Sequence, residues 1–99
     1  MHPLHIALHD GFQGNHVRIS VDGQTVFDRA GVRTDLRISR ADAVDVSAPA
    51  QHVRIEVTVD PGGVAGATEV DAAATPYVAI DLAGSGIQFK LSADPFAYL

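Results

Sequence analysis

The chain has 99 residues, enough for one small domain, and it contains no cysteine, which excludes a disulfide framework and a thiolate metal site. Its net charge of −5 opposes binding to nucleic acid or to an anionic membrane. Without an apolar run of about 20 residues or a secretory signal, the sequence favours a cytoplasmic location over membrane insertion or export.

The first stretch, from Leu4 to Asp22, alternates apolar and polar residues with the two-residue period of half-buried strands. We predict that it forms one antiparallel hairpin with Leu8 opposite Val17. This register places three apolar cross-strand pairs on one face and leaves residues 10–15 as the connecting loop.

The dipeptide Asp22-Gly23 then predicts a tight turn into a third strand over residues 24–28. A two-residue loop would set Ile19 against Val26, whereas a three-residue loop would set it against Phe27. We favour the second register because it buries the larger side chain.

Residues 29–43 are the one segment where a helix competes with a strand. Arginines recur there at helical spacing, at positions 29, 33, 37 and 40, but Gly31 interrupts the pattern and Leu36 and Ile38 alternate with polar residues. We predict a short strand over residues 35–39, with a short helix as the alternative. The arginines are expected to form a solvated face with neighbouring aspartates rather than an anion-binding patch.

The rest of the chain predicts strands around residues 44–46, over 51–59 and 64–71, and in a final hairpin that pairs Ile80 with Phe89. Turns recur every eight to twelve residues and no helix is convincing. The pattern therefore predicts an all-β fold over residues 1–99: a single-domain antiparallel β-sandwich of seven to nine short strands, with Greek-key crossings and the immunoglobulin or fibronectin type III architecture as the nearest analogy.

The loop over residues 10–15 is the first candidate site. Phe12 offers an apolar face, and Asp10, Gln13 and Asn15 offer side-chain oxygens to a protein or glycan partner. The alternative is that Phe12 folds back and caps one end of the sandwich. Exposure of Phe12 distinguishes the two hypotheses.

A pair of histidines is the second candidate. In the predicted first hairpin His9 lies opposite His16, with Cβ atoms about 5 Å apart, and Asp10 could add an oxygen ligand. Zinc or copper would suit such a pair, but two histidines without a firm third ligand are weak evidence for a metal. We therefore expect no cofactor and two solvated histidines, with the metal site as the alternative.

Signatures of catalysis are lacking in the sequence. Gly84-Ser85-Gly86 does not have the spacing of a nucleophile turn, and no convergent set of acid, base and nucleophile can be identified. We therefore expect no enzymatic activity and predict a non-catalytic interaction module.

The C-terminal residues Phe96, Tyr98 and Leu99 are large and apolar, and they should cover something. Either the tail folds over its own sandwich as a lid, or it packs on a second copy in a homodimer. We favour the lid because Pro95 turns the chain back towards the final hairpin.

Overall fold

The structure, a computed structural model, describes residues 2–37, 40–60, 62–84 and 86–96. These residues form eight strands and no helix, so the all-β prediction is confirmed. The strands are β1 (His2–Leu8), β2 (Gln13–Val21), β3 (Gln24–Arg33), β4 (Asp42–Ala48), β5 (His52–Asp60), β6 (Val64–Asp71), β7 (Tyr77–Ala83) and β8 (Gly86–Ser92). The described part of the chain accordingly has no helix that could span a membrane.

The strands form two four-stranded sheets that enclose one apolar core, as the sandwich prediction requires. The β1 sheet has the order β4-β1-β7-β8, and the β2 sheet has the order β3-β2-β5-β6. Neighbouring strands are antiparallel except β1 and β7, which are parallel. An immunoglobulin constant domain keeps its first two strands in one sheet, whereas β1 and β2 lie in different sheets. The likeness is therefore one of architecture and not of strand order.

Strict alternation fixes which side chains enter the core. On β5 the apolar residues Val53, Ile55, Val57 and Val59 are at most 1% exposed, while the polar residues between them are exposed. The same rule buries Leu4, Ile6 and Leu8 on β1 and Val17, Ile19 and Val21 on β2. Side chains from both sheets thus meet in the layer between them, as in other sandwiches.

The predicted first hairpin is wrong, although its apolar residues are all buried. Strand β1 pairs with β4 and β7, and strand β2 pairs with β3 and β5, so Leu8 is not opposite Val17 in a ladder. Two strands with the same alternation can bury their apolar sides either beside one another in a sheet or across the core from it. Here the second arrangement holds, because the chain crosses between the sheets after Leu8.

The turn at Asp22-Gly23 joins β2 to β3 through a two-residue loop, with positive φ at both residues. Ile19 nevertheless lies opposite Phe27, the pairing favoured from the sequence, because the β2–β3 ladder is irregular between Ile19 and Ser20. The preferred partner was correct and the three-residue loop was wrong.

Within residues 29–43 neither predicted element forms in the described part. Strand β3 continues to Arg33, and an isolated bridge joins Asp35 to Arg40 around a turn at residues 36 and 37. The predicted strand over 35–39 therefore fails where it can be checked, and Ile38 and Ser39 lie outside the described residues. The turn is tied by the Arg37 guanidinium, which donates to the Asp35 carboxylate at 2.9 and 3.1 Å and lowers its pKa.

The later strands agree with the sequence pattern. Strand β6 covers residues 64–71, and in the β7–β8 hairpin Ile80 pairs with Phe89, as predicted. Ser85 of the predicted turn lies outside the described residues. Hairpins whose partners are adjacent in the chain are well specified by alternation and turn residues alone.

Candidate functional site

The outer face of the β1 sheet is unusual because small residues on it are buried. Ala7 and Ala79 are 7% and 0% exposed, yet they alternate with core residues and lie outside the core cluster. They are paired across the parallel β1–β7 ladder. Residues at outward positions of a sandwich are normally solvated, so other side chains must shield these two alanines from solvent.

The C-terminal tail lies against this face. Pro95 and Phe96 line the same pocket as Ala7, and the Phe96 ring meets His9 edge-on with centroids 5.4 Å apart. This contact lies within one chain and involves Phe96, one of the three tail residues singled out from the sequence, while the lid itself stays a prediction. Tyr98 and Leu99 lie outside the described residues, so the homodimer stays a prediction.

Between the tail and strands β1, β4 and β7 is a cavity of about 160 Å³, which we call the outer-face pocket. The described residues that line it are His5, Ile6, Ala7, Arg40, Ala43, Asp45, Tyr77, Pro95 and Phe96. Its volume is close to the roughly 150 Å³ that accommodates one benzene molecule. The pocket is thus the right size for one ring or one side chain.

The polar side of the outer-face pocket is formed by His5, whose imidazole is held in one orientation by its neighbours. His5 and Asp45 are register partners on β1 and β4, and the His5 Nδ1 lies 2.7 Å from the Asp45 carboxylate. Tyr77, the His5 partner on β7, stacks on the imidazole with centroids 4.8 Å apart and planes 17° apart. An imidazole held through Nδ1 has its orientation fixed and keeps Nε2 for a second contact.

His9 stands beside the pocket under the Phe96 ring. Burial lowers the pKa of His9 below its usual value of 6.5, and the nearby carboxylates of Asp81 and Asp10 oppose the shift. The positive charges of Lys90 and Arg40 add to the lowering. His9 is therefore favoured in its neutral form in the folded protein.

The segment that follows β1, residues 9–11, is held against β7 by backbone hydrogen bonds, which the sequence did not indicate. The His9 amide donates to the Ile80 carbonyl at 2.8 Å, and the Leu82 amide donates to the Asp10 carbonyl at 2.8 Å. Gly11, with φ +94°, lies so close to β7 that an added Cβ would be 1.7 Å from the Leu82 carbonyl oxygen. The chain therefore follows β7 beyond β1 before it crosses to the other sheet.

Phe12 is a core residue, 1% exposed, so little of its ring is available to a ligand, although Phe12 also borders an open groove at the end of the sandwich. Its amide donates to the Thr34 hydroxyl at 3.1 Å, which in turn donates to the His9 carbonyl at 2.7 Å. The alternative interpretation, in which the ring caps one end of the sandwich, agrees with this burial.

The polar residues of the same segment lie at the end of the sandwich. Asp10 and Gln13 line an open groove of about 430 Å³, and Gln13 and Asn15 line a second groove of about 480 Å³. Asn15 also stabilises its own loop, because its side-chain oxygen accepts from the Gln13 amide at 2.8 Å. Phe12 also borders the first groove, but at 1% exposure it offers a ligand little surface.

The cross-strand histidine pair is wrong because the hairpin on which it depended does not form. His16 is opposite Asp60 of β5, and its Nε2 bonds to the Asp28 carboxylate, whereas His9 follows β1 in the other sheet. The described residues contain no group of three histidine or acidic side chains arranged to hold a metal ion.

The sequence did not single out Asp45 and Tyr77 as site residues, and it favoured a solvated face for Arg40 over an anion-binding patch. The available signal was the alanines at outward positions 7, 43 and 79, where the other sheet carries charged residues. Alanine at the centre of an outer face leaves room for a covering segment or a ligand. Which strands would bring those alanines together was not evident from the sequence.

Comparisons of this chain with protein-family models, with curated proteins and with solved structures find no match. Its function must therefore be argued from the chemistry of its own sites.

Proposed function

We propose that the protein is a non-catalytic binding module whose ligand site is the outer-face pocket. One observation carries the proposal: a cavity the size of one ring is bounded by an oriented imidazole, a stacked tyrosine and a covering phenylalanine. Binding sites commonly combine an apolar lining with a few placed polar groups. The other outer face has paired charges in place of such a lining.

The size of the pocket limits what it binds. Its roughly 160 Å³ is below the 300–1,000 Å³ of typical drug-sized sites. The ligand is therefore a small ring compound, or a single ring-bearing group of a larger partner.

A binding role is favoured over catalysis by the composition of the lining. The His5–Asp45 pair resembles the orienting part of a general base, but a base alone does not make a nucleophilic site. Among the described residues that line the pocket, none carries a serine or threonine hydroxyl or a thiol.

The test is an NMR titration of the full, ¹⁵N-labelled chain with three ring probes: benzoate, benzamide and benzylamine. We expect at least one probe to shift the amide signals of His5, Ala7, Ala43 and Tyr77 in a saturable way. The variant Ala43→Leu, which fills the pocket from β4, should abolish these shifts.

The matched control is Ala67→Leu, since Ala67 is also an outward alanine on an edge strand but lies on the β2 sheet. It should leave the titration unchanged. Failure of all three probes to shift the pocket signals, or equal binding by Ala43→Leu, would contradict the proposal.

A second candidate is supported by the two grooves at the end of the sandwich, where Asp10, Gln13 and Asn15 supply polar side chains to a protein or glycan partner. Binding of neutral oligosaccharides on an array, lost in Gln13→Ala and retained in Gln24→Ala, would support it. The absence of any such binding would exclude the glycan form.

A further inference from the structure

We infer that two copies of the chain pair with one another through strand β6, at the edge of the β2 sheet. The two β6 strands run antiparallel, with Ala67 of one copy opposite Ala67 of the other. This inference concerns assembly and does not depend on the ligand of the outer-face pocket.

Each sheet has two edge strands, and three of these four strands carry features that discourage pairing with another chain. Strand β3 has three irregularities in its ladder with β2 and a positive φ at Gly31. Strand β8 carries Lys90, and strand β4 carries Asp42 and Asp45. Bulges and charged side chains of this kind protect the edges of sheets.

Strand β6 lacks those features. Its eight residues pair with β5 without a shift in register, and they include no proline, no lysine or arginine and no positive φ. Ala65 and Ala67 are small and exposed, and the Glu69 carboxylate already accepts from Arg54 at 3.3 Å. Strand β6 is therefore a regular edge to which another strand can add.

The backbone hydrogen bonds show which groups of β6 point away from β5. The Ala72 amide donates to the Gln51 carbonyl at 2.7 Å, which marks this cross-strand pair as hydrogen-bonded. Every second pair of an antiparallel ladder is of this type, so the even-numbered residues of β6 turn their N–H and C=O groups to β5. The odd-numbered residues turn theirs to the open edge: Ala65, Ala67 and Glu69. Among the described residues, no other strand and no turn bonds to these outward groups.

A second copy of β6 can satisfy all of these outward groups at once. With Ala67 opposite Ala67, Ala65 of each copy lies opposite Glu69 of the other, so every pair exchanges both of its hydrogen bonds and no like charges face one another. A shift of two residues in either direction would instead bring in Gly63, with φ +60°, or Asp71, whose carbonyl already accepts within the following turn. Of the registers that keep the buried sides together, this one pairs all the outward groups within the strands.

Apolar side chains at the edge also favour a second copy. Val64 is half-buried, and the same register sets it opposite Val70 of the second copy. Gly66 packs so closely on β8 that an added Cβ would lie 3.1 Å from Ile87, and Ile87 and Phe89 are themselves only half-buried. A second copy would bring its own β8 alongside and cover this apolar surface, which an isolated peptide strand would not.

Single cysteines can test the register, because the chain has no cysteine of its own. Ala67→Cys should form a disulfide-linked dimer on mild oxidation, since opposite residues of a hydrogen-bonded pair have Cα atoms about 5.5 Å apart. Ala65→Cys is the matched control, an exposed alanine on the same strand whose equivalent in the second copy lies roughly 13 Å away along the strand. We expect Ala67→Cys to cross-link at least about tenfold faster.

Sedimentation equilibrium of the unaltered protein tests the assembly itself. At high micromolar concentration the mass should rise towards that of two chains. Ala67→Pro removes the central outward N–H without removing a hydrogen bond to β5, so it should give a monomer that keeps its strand content in circular dichroism.

An unaltered protein that stays monomeric, equal cross-linking of the two cysteine variants, or a dimer that persists in a folded Ala67→Pro would each overturn the inference. Masses above that of a dimer would also contradict it, because a two-fold pairing closes on itself. If Ala67→Pro does not fold, the two cysteine variants decide the question.

Discussion

The two outer faces of the sandwich are built on the same alternation but differ in what they carry. The β2 sheet presents cross-strand ion pairs, including Arg18 with Asp28 at 3.3 Å and Arg54 with Glu69 at 3.3 Å. The β1 sheet presents alanines, a stacked His5–Tyr77 pair and a covering tail. The alternation of the backbone therefore determines that a residue points outward, and the chemistry of its side chain determines whether that face carries solvated charges or an apolar, partly covered surface.

The charged face shows what an ordinary outer surface looks like in this protein. Its pairs are largely exposed, so each contributes little to folding. The hydrogen bond from His16, with help from Arg18, lowers the pKa of the Asp28 carboxyl. That cluster lies open on the sheet, with the His16 and Asp28 side chains 45% and 42% exposed.

The largest effect is expected where the chain crosses from one sheet to the other. Gly11→Ala should lower the free energy of unfolding by about 3 kcal/mol or more, because the new Cβ would clash with the Leu82 carbonyl and the φ of +94° is unfavourable for alanine. Urea unfolding followed by circular dichroism measures the loss.

Gly23→Ala is the control for this prediction. Gly23 has a similar φ of +82° but nothing within 4 Å of an added Cβ, so only backbone strain of about 1 kcal/mol applies. Equal losses in the two variants would mean that the close approach to β7 is unimportant.

Replacing an outward alanine by leucine should have a smaller effect on stability, and the effect should differ between the two outer faces. Ala79→Leu should destabilise the protein by about 1–3 kcal/mol, because Ala79 is fully buried and a larger side chain must displace what covers it. Ala67→Leu on the exposed face should stay within about 0.5 kcal/mol of the unaltered chain. Thermal melts of the pair check the difference, and equal tolerance at both positions would show that the β1 face is open.

The contact between the Phe96 ring and His9 predicts that the pKa of His9 depends on this ring. The folded-state pKa of His9 lies below 6.5 because of burial, so folding is favoured by neutral His9 above pH 6.5 and loses this contribution as the pH falls through the lowered pKa. Removing the covering ring in Phe96→Ala should raise the pKa of His9 towards 6.5. NMR titration of the imidazole signals measures it.

An unchanged His9 pKa in Phe96→Ala would show that the ring does not cause its burial.

The smallest effect is expected on the charged face. Arg54→Gln removes the pairs with Glu69 and Glu56 and should change stability by no more than about 0.5 kcal/mol, because all three side chains are at least half exposed. Unfolding in low and high salt tests this, and a loss comparable to that of Ala79→Leu would make the two faces energetically alike.

The strands could be predicted from the sequence because alternation is a local property. Val53 to Val59 identify β5 without any knowledge of its neighbours, and the β7–β8 register follows from a turn and three apolar pairs. The partners of β1 could not be predicted in this way. Alternation gives the side of a strand that is buried and does not say which sheet contains it.

The same limit explains which candidate site residues lie together in the structure and which do not. His9 and His16 were placed together by a local hairpin, and they separate because β1 and β2 lie in different sheets. His5 and Asp45 are 40 residues apart in the chain, and Tyr77 is further still, so only the sheet order brings them together. The end grooves keep Asp10, Gln13 and Asn15 near one another because those residues are neighbours in sequence.

The most direct test of the contrast between the faces is the footprint of the ring probes benzoate, benzamide and benzylamine on the unaltered, ¹⁵N-labelled protein. The pocket account predicts saturable shifts at His5, Ala7, Ala43 and Tyr77 on the β1 sheet, with the signals of Arg18, Glu56 and Ala67 on the β2 sheet unmoved. Shifts concentrated on the β2 sheet, or spread equally over both faces, would contradict it.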